Sequence, residues 1–264
     1  MFATLVVLGG CLATAQAEGL TLSEPRLTYG VLGPARADVR MLPGDSLVAA
    51  FDIVGLTTDR SGKAVYRTET VLSDRQGKTL FRQPPRDQEA TLALGGHRVP
   101  GFARVDIGLD SPAGDYTLKV TVTDRASNRS ASLTQDFTVL PKGFGIVGLT
   151  TTADQAGELP AGLLGPGQSL WLHAAVVGFT MTQGGQPKVA LALRVLDDKG
   201  QPTLEEPFTG ALDRDTPAGV RALPLKFLLS LNRPGKFTVE LTATDQASGR
   251  SATQKFPLTV SPAR

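Results

Sequence analysis

The chain has 264 residues but one cysteine, one tryptophan and two histidines. Each shortage closes off some chemistry. A lone cysteine forms no internal disulfide and builds no cysteine-ligated metal site. The histidines, His97 and His173, lie 76 positions apart, and no HExxH, GxSxG or glycine-rich phosphate loop occurs. No serine or threonine has a histidine near it in sequence. The reading is of a protein that is not an enzyme and carries no cofactor and no metal. The nearest thing to a carboxylate pair, Asp213 and Asp215 in LDRDTP, reads as a solvated loop. Charge of one sign is also missing. Lys and Arg number 27, Asp and Glu 25, and they are interspersed, so no basic stripe points to nucleic acid.

Long apolar runs are absent as well. The longest, MFATLVVLGGCLATAQA at the start, is uncharged but too short to span a membrane. It ends in Ala15-Gln16-Ala17, a small-x-small cleavage pattern, so residues 1–17 read as an export signal that lacks a basic beginning. Leu8 to Cys11, LGGC, is similar to a lipobox. Lipidation at Cys11 is therefore an alternative, disfavoured by its early position and by the competing site after Ala17. Export implies the bacterial periplasm, the cell surface or the medium.

What the chain has in plenty is glycine (29), proline (18) and a repeat. Gly114 to Val139 aligns without a gap on Gly235 to Val260, with 12 of 26 positions identical. Leu42 to Thr57 aligns on Gly165 to Thr180. The units run over 18–140 and 144–264, joined by 141–143, a proline-containing link short enough to limit relative motion. Within each unit the apolar period is two. Tyr116, Leu118, Val120 and Val122 alternate with polar residues, as do Phe237, Val239, Leu241 and Ala243 in the copy. That alternation means strands with one buried face, roughly seven per unit, and so an all-β fold of two tandem antiparallel sandwiches.

The residues Pro43 to Leu47, Asp74 to Gly77 and Ser111 to Asp124 resemble an immunoglobulin-like domain. The second copy supplies Pro166 to Leu170, Asp198 to Gly200 and Arg233 to Asp245. The resemblance is strongest to the bacterial macroglobulin-type or fibronectin type III-like versions. It implies a tyrosine corner at Tyr116, whose phenol would bond a nearby backbone carbonyl. Phe237 fills the matching place without a hydroxyl. A fold of this kind hosts many roles.

Two features remain as candidate sites. TDRASNRS (123–130) returns as TDQASGRS (244–251). Asp124 and Asp245 fit an Asx turn, and Asn128 exchanging with Gly249 fits a left-handed backbone position. These four residues read as a structural turn. A calcium site there would need more carboxylates than one per turn. Trp171 and His173, with Ala175 and Val177, share the strand face opposite Leu170, Leu172 and Ala174. Unit one has Val48 and Ala50 in their places. Trp171 and His173 are the candidate binding residues. The expected function is a non-catalytic structural or protein-interaction module of the envelope or surface, with an envelope or surface protein as partner. Its contacts would come from sheet edges, loops or the Trp171 face, although prolines such as Pro257 block edge pairing locally. The alternative is a glycan-binding accessory protein using an exposed aromatic face of the second unit.

Overall fold

A computed structural model describes residues 19–262. The expected signal and Cys11 lie outside them. The described residues form sixteen strands and no helix. In the first part of the chain these are β1 (Thr21–Leu22), β2 (Arg26–Leu27), β3 (Arg40–Met41), β4 (Ser46–Val54), β5 (Lys63–Asp74), β6 (Thr79–Thr91), β7 (Arg98–Asp106), β8 (Gly114–Asp124) and β9 (Ser130–Val139). They make two sheets. In one, β4 is flanked by β1 and β2 on one side and by β7. The other runs β3-β9-β8-β5-β6, antiparallel except for the short parallel pairing of β3 with β9.

The second part has β10 (Gly145–Thr152), β11 (Ser169–Val177), β12 (Val189–Leu196), β13 (Phe208–Leu212), β14 (Ala222–Ser230), β15 (Gly235–Asp245) and β16 (Arg250–Val260). Its sheets are β10-β11-β14 and β13-β12-β15-β16, both antiparallel. The fold is all-β, two immunoglobulin-like sandwiches in tandem.

Alternation explains the packing. On β8, Tyr116, Leu118, Val120, Val122 and Asp124 are buried, while the residues between them face outward. The four apolar ones meet Leu47, Ala49, Phe51 and Ile53 of the facing sheet in one apolar core. Val239, Leu241 and Ala243 meet Leu170, Leu172 and Val176 in a second core. Facing apolar rows of this kind supply most of a sandwich's stability. On the outer faces the last hairpin of each unit carries cross-strand hydroxyl pairs. Thr121 pairs with Ser132 and Thr123 with Ser130; Thr242 pairs with Thr253 and Thr244 with Ser251.

Tyr116 donates from its phenol to the carbonyl of Pro112 at 2.7 Å. Phe237, in the matching place, is covered instead by the Arg233 guanidinium, 4.9 Å from the ring centre. One correction concerns the hairpin after β12. Asp197, and not Asp198, plays the part of Asp74. Its Oδ1 accepts from the amides of Lys199 and Gln201, as Asp74 Oδ1 accepts from Gln76 and Lys78. Only a carboxylate two and four residues ahead of those amides reaches both.

Candidate functional site

Trp171 and His173 lie on β11, the middle strand of its sheet, on the face turned away from the core. Trp171 stands between Thr152 of β10 and Leu228 of β14, and His173 between Thr150 and Lys226. Both are half-buried. Val177, on the same face by alternation, is buried at the joint between the sandwiches, where Gly44 packs close to it.

His173 is held. Its Nε2 is 2.8 Å from Thr152 Oγ1, and that hydroxyl also lies 2.7 Å from the carbonyl of Asp154. A hydroxyl has one proton to give. Thr152 donates it to Asp154, so it accepts from His173, and the imidazole carries its proton on Nε2. The direction matters for chemistry: a base that activates a hydroxyl must accept from it. Here the histidine donates, so the pair is a structural tether. The loop 153–159 lies across this end of the face. Asp154 accepts from the amides of Glu158 and Leu159, Gly157 lies against the His173 ring, and Lys226 Nζ donates to the carbonyl of Gln155 at 3.0 Å.

The paired octapeptides form the β8–β9 and β15–β16 hairpins, and their aspartates do more than turn the chain. Asp124 is fully buried. It accepts from the amide of Ala126 and the hydroxyl of Ser127, then reaches the other sheet to accept from the amide of Thr57 at 3.0 Å. Asp245 repeats this with Ala247, Ser248 and the amide of Thr180, and adds Arg250 at 3.3 Å. Burial pushes both carboxyls up. The hydrogen bonds outweigh it, Thr57 and Ser127 for Asp124, Ser248 and Thr180 for Asp245. The net shift is downward in both, to about 2 for Asp245. Asn128 and Gly249 both sit at positive φ, 58° and 74°. Asp213, Asp215 and His97 are exposed. Among the described residues, no three carboxylate, histidine or cysteine side chains gather where a metal would fit.

The joint between the sandwiches holds a polar constellation that spacing alone does not reveal. Arg36 meets Asp45 at 2.7 Å, both side chains buried. Asp45 Oδ1 also accepts from the amide of Gly148 at 2.9 Å. That amide is free because the ladder of β10 with β11 slips between Val147 and Thr150. Tyr29 lies in the second core, edge-on to Phe256, and its phenol donates to the carbonyl of Lys255. The Arg36 guanidinium covers the Tyr29 ring. The chain passes close here: a Cβ on Gly30, at φ 85°, would collide with Thr150. At the rim, Asp110 takes both Arg221 amino groups at 2.8 Å and Lys142 at 2.7 Å. Those bonds hold its carboxyl well below the ordinary range.

No family model and no curated protein matches the sequence. Among solved structures, the C-terminal domain of the Streptococcus pyogenes antigen I/II-family protein AspA is 10% identical, with a TM-score of 0.32, over 91% of this chain and 99% of that one. The C-terminal domain of the Streptococcus agalactiae AgI/II polypeptide BspA gives 9% and 0.29, over 91% and 100%. Red sea bream transglutaminase gives 8% and 0.29, over 92% of this chain and 32% of its own. Similarity at this level reaches the strand content of the chain and stops there.

Proposed function

We propose that this protein is a non-catalytic, exported module of the bacterial envelope or cell surface, which holds two sandwiches as one inflexible piece and presents the second to a protein partner. The supporting observation is the joint. Arg36, Asp45 and the Gly148 amide, Tyr29 within the second core, and Asp110 with Arg221 tie the units at three places. An enzyme gains nothing from such a joint unless a site lies across it, whereas a spacer needs it. We take the units to be 18–140 and 144–264, of the macroglobulin-type or fibronectin type III-like kind, with the export signal cut after Ala17. The glycan reading needs Trp171 as a flat, open platform; a half-buried Trp171 beside Leu228 supports it less well.

Cell fractionation with an intact-mass measurement tests the reading. The expected result is a chain beginning at Glu18 in the periplasmic or surface fraction. An uncut chain in the cytoplasm overturns export. A chain retaining a lipidated Cys11 replaces a free module with an anchored one. Saturable turnover of any substrate by the purified chain overturns the non-catalytic reading.

A further inference from the structure

Along one side of the second sandwich the two sheets part. Between the edge of β14 and the start of β13 lies a groove of about 520 Å³. Phe237, Leu258 and Val260 form its floor, and Leu204, Phe208 and Leu228 its rim. The rim residues are large, apolar and each more than half exposed. Three such side chains around one opening are a surface shaped for contact.

The groove runs beside an open strand edge. β14 ends its sheet, and outside its ladder with β11 the backbone of Lys226 to Ser230 makes no hydrogen bond among the described residues. Pro224 interrupts this edge, but it lies opposite Ala175, away from the groove. From Lys226 to Ser230 every residue carries an N–H. The edge that borders the groove can therefore accept another strand.

Charge says what kind. The wall opposite is the segment 197–207, which contributes Thr203 and Leu204 to the lining. It carries Asp197, Asp198, Glu205 and Glu206 against a single lysine, Lys199. The cations on the other side are engaged: Arg233 is stacked on Phe237, and Lys226 Nζ donates to the carbonyl of Gln155. A second copy of the chain would bring an equally acidic segment to the pairing, and like charges would meet. We propose that the groove takes an extended segment of a partner protein, added as a strand along β14, with alternate apolar side chains in the groove and basic residues against the 197–207 wall. This goes beyond the spacer reading and does not depend on it.

The only tryptophan reports on the site, since Trp171 is the cross-strand neighbour of Leu228. The full chain is titrated with the peptide KTVTVTVTK, with a glutamate-flanked version and with one carrying a central proline. The lysine-flanked peptide should change Trp171 emission saturably and slow amide exchange at Lys226 to Ser230. The other two should bind at least tenfold more weakly. Leu204→Asp and Leu228→Asp, at exposed positions, should weaken binding tenfold or more, followed by the anisotropy of a labelled peptide. The double variant Glu205→Lys/Glu206→Lys should reverse the preference for flanking charge. The proposal is overturned by no saturable binding at millimolar peptide, by indifference to flanking charge, by protection at β13 instead of β14, or by sedimentation showing self-association through this edge.

Discussion

Asp124 and Asp245 carry the clearest consequence of a single residue. Each is buried and charged, and each ties a hairpin of one sheet to the loop leaving β4 or β11 of the other. A carboxyl whose value is lower folded than unfolded stabilises the fold fully above the unfolded value, near 3.8. That stabilisation is lost as pH falls through the folded value, about 2 for Asp245. The melting temperature should therefore drop between about pH 4 and pH 2, and Asp245→Asn should flatten that drop while costing about 1.5–3 kcal/mol at neutral pH. Melts recorded across that range check both; an unchanged pH profile in the variant would remove Asp245 from the account. The position of these turns is legible in the repeated octapeptides, because Asp, Ser and an Asn/Gly exchange specify local backbone geometry. The reach to Thr57 and Thr180 is not, although both threonines end the other aligned stretch. Nothing in a linear alignment says that two conserved-looking ends of a repeat touch. The tether of His173 to Thr152 was equally hidden, since it depends on which strands are neighbours.

At the scale of strands, the prolines are sorted. They occur in β6 (Pro84, Pro85), β7 (Pro100), β14 (Pro224) and β16 (Pro257), each last in its sheet, and in no strand with neighbours on both sides. A proline gives no N–H to a ladder, so at an edge it discourages pairing with another chain. β10, an edge without proline, carries the bulge that frees the Gly148 amide. Replacing Pro100 and Pro257 together by threonine should leave the melt little changed and promote association that rises with concentration. Sedimentation velocity at several loadings checks this, and a strictly monomeric variant would show that the prolines do not guard the edges. The alternation that defines the strands was plain in the sequence, because burial on one face imposes it. Which strand would be an edge was not. The short β1, β2 and β3, two residues each, left no periodic signal at all, and they bring the first unit to nine strands.

At the scale of the whole molecule, two of the residues that join the cores lie outside the repeat. Tyr29 and Arg36 precede the first aligned stretch, and neither has a counterpart in the second unit's alignment. Removing Arg36 leaves Asp45 buried without its cation, a loss of about 3–5 kcal/mol for such a pair. Arg36→Ala combined with Tyr29→Ala should turn one cooperative unfolding transition into two, with the second sandwich melting first. Differential scanning calorimetry reads this directly. A single transition that merely shifts would mean that the sandwiches are coupled elsewhere. The short link at 141–143 hinted at restricted motion, but the tie itself is made across 103 positions, from Asp45 to Gly148, and could not be read from spacing.

The bond from Tyr29 to the carbonyl of Lys255 spans 226 positions and cinches the described chain close to both its ends. The described residues thus make a nearly closed ring without a covalent clasp. The second core stays unfinished until β16 has emerged, however early Tyr29 was made. A protease that removed Tyr29 from one side or Lys255 from the other would undo the same contact. A cut at Leu140 to Gly143, which looks clean from the repeat, would strand Tyr29 on the wrong half and leave a tyrosine-sized gap against Phe256 in the other.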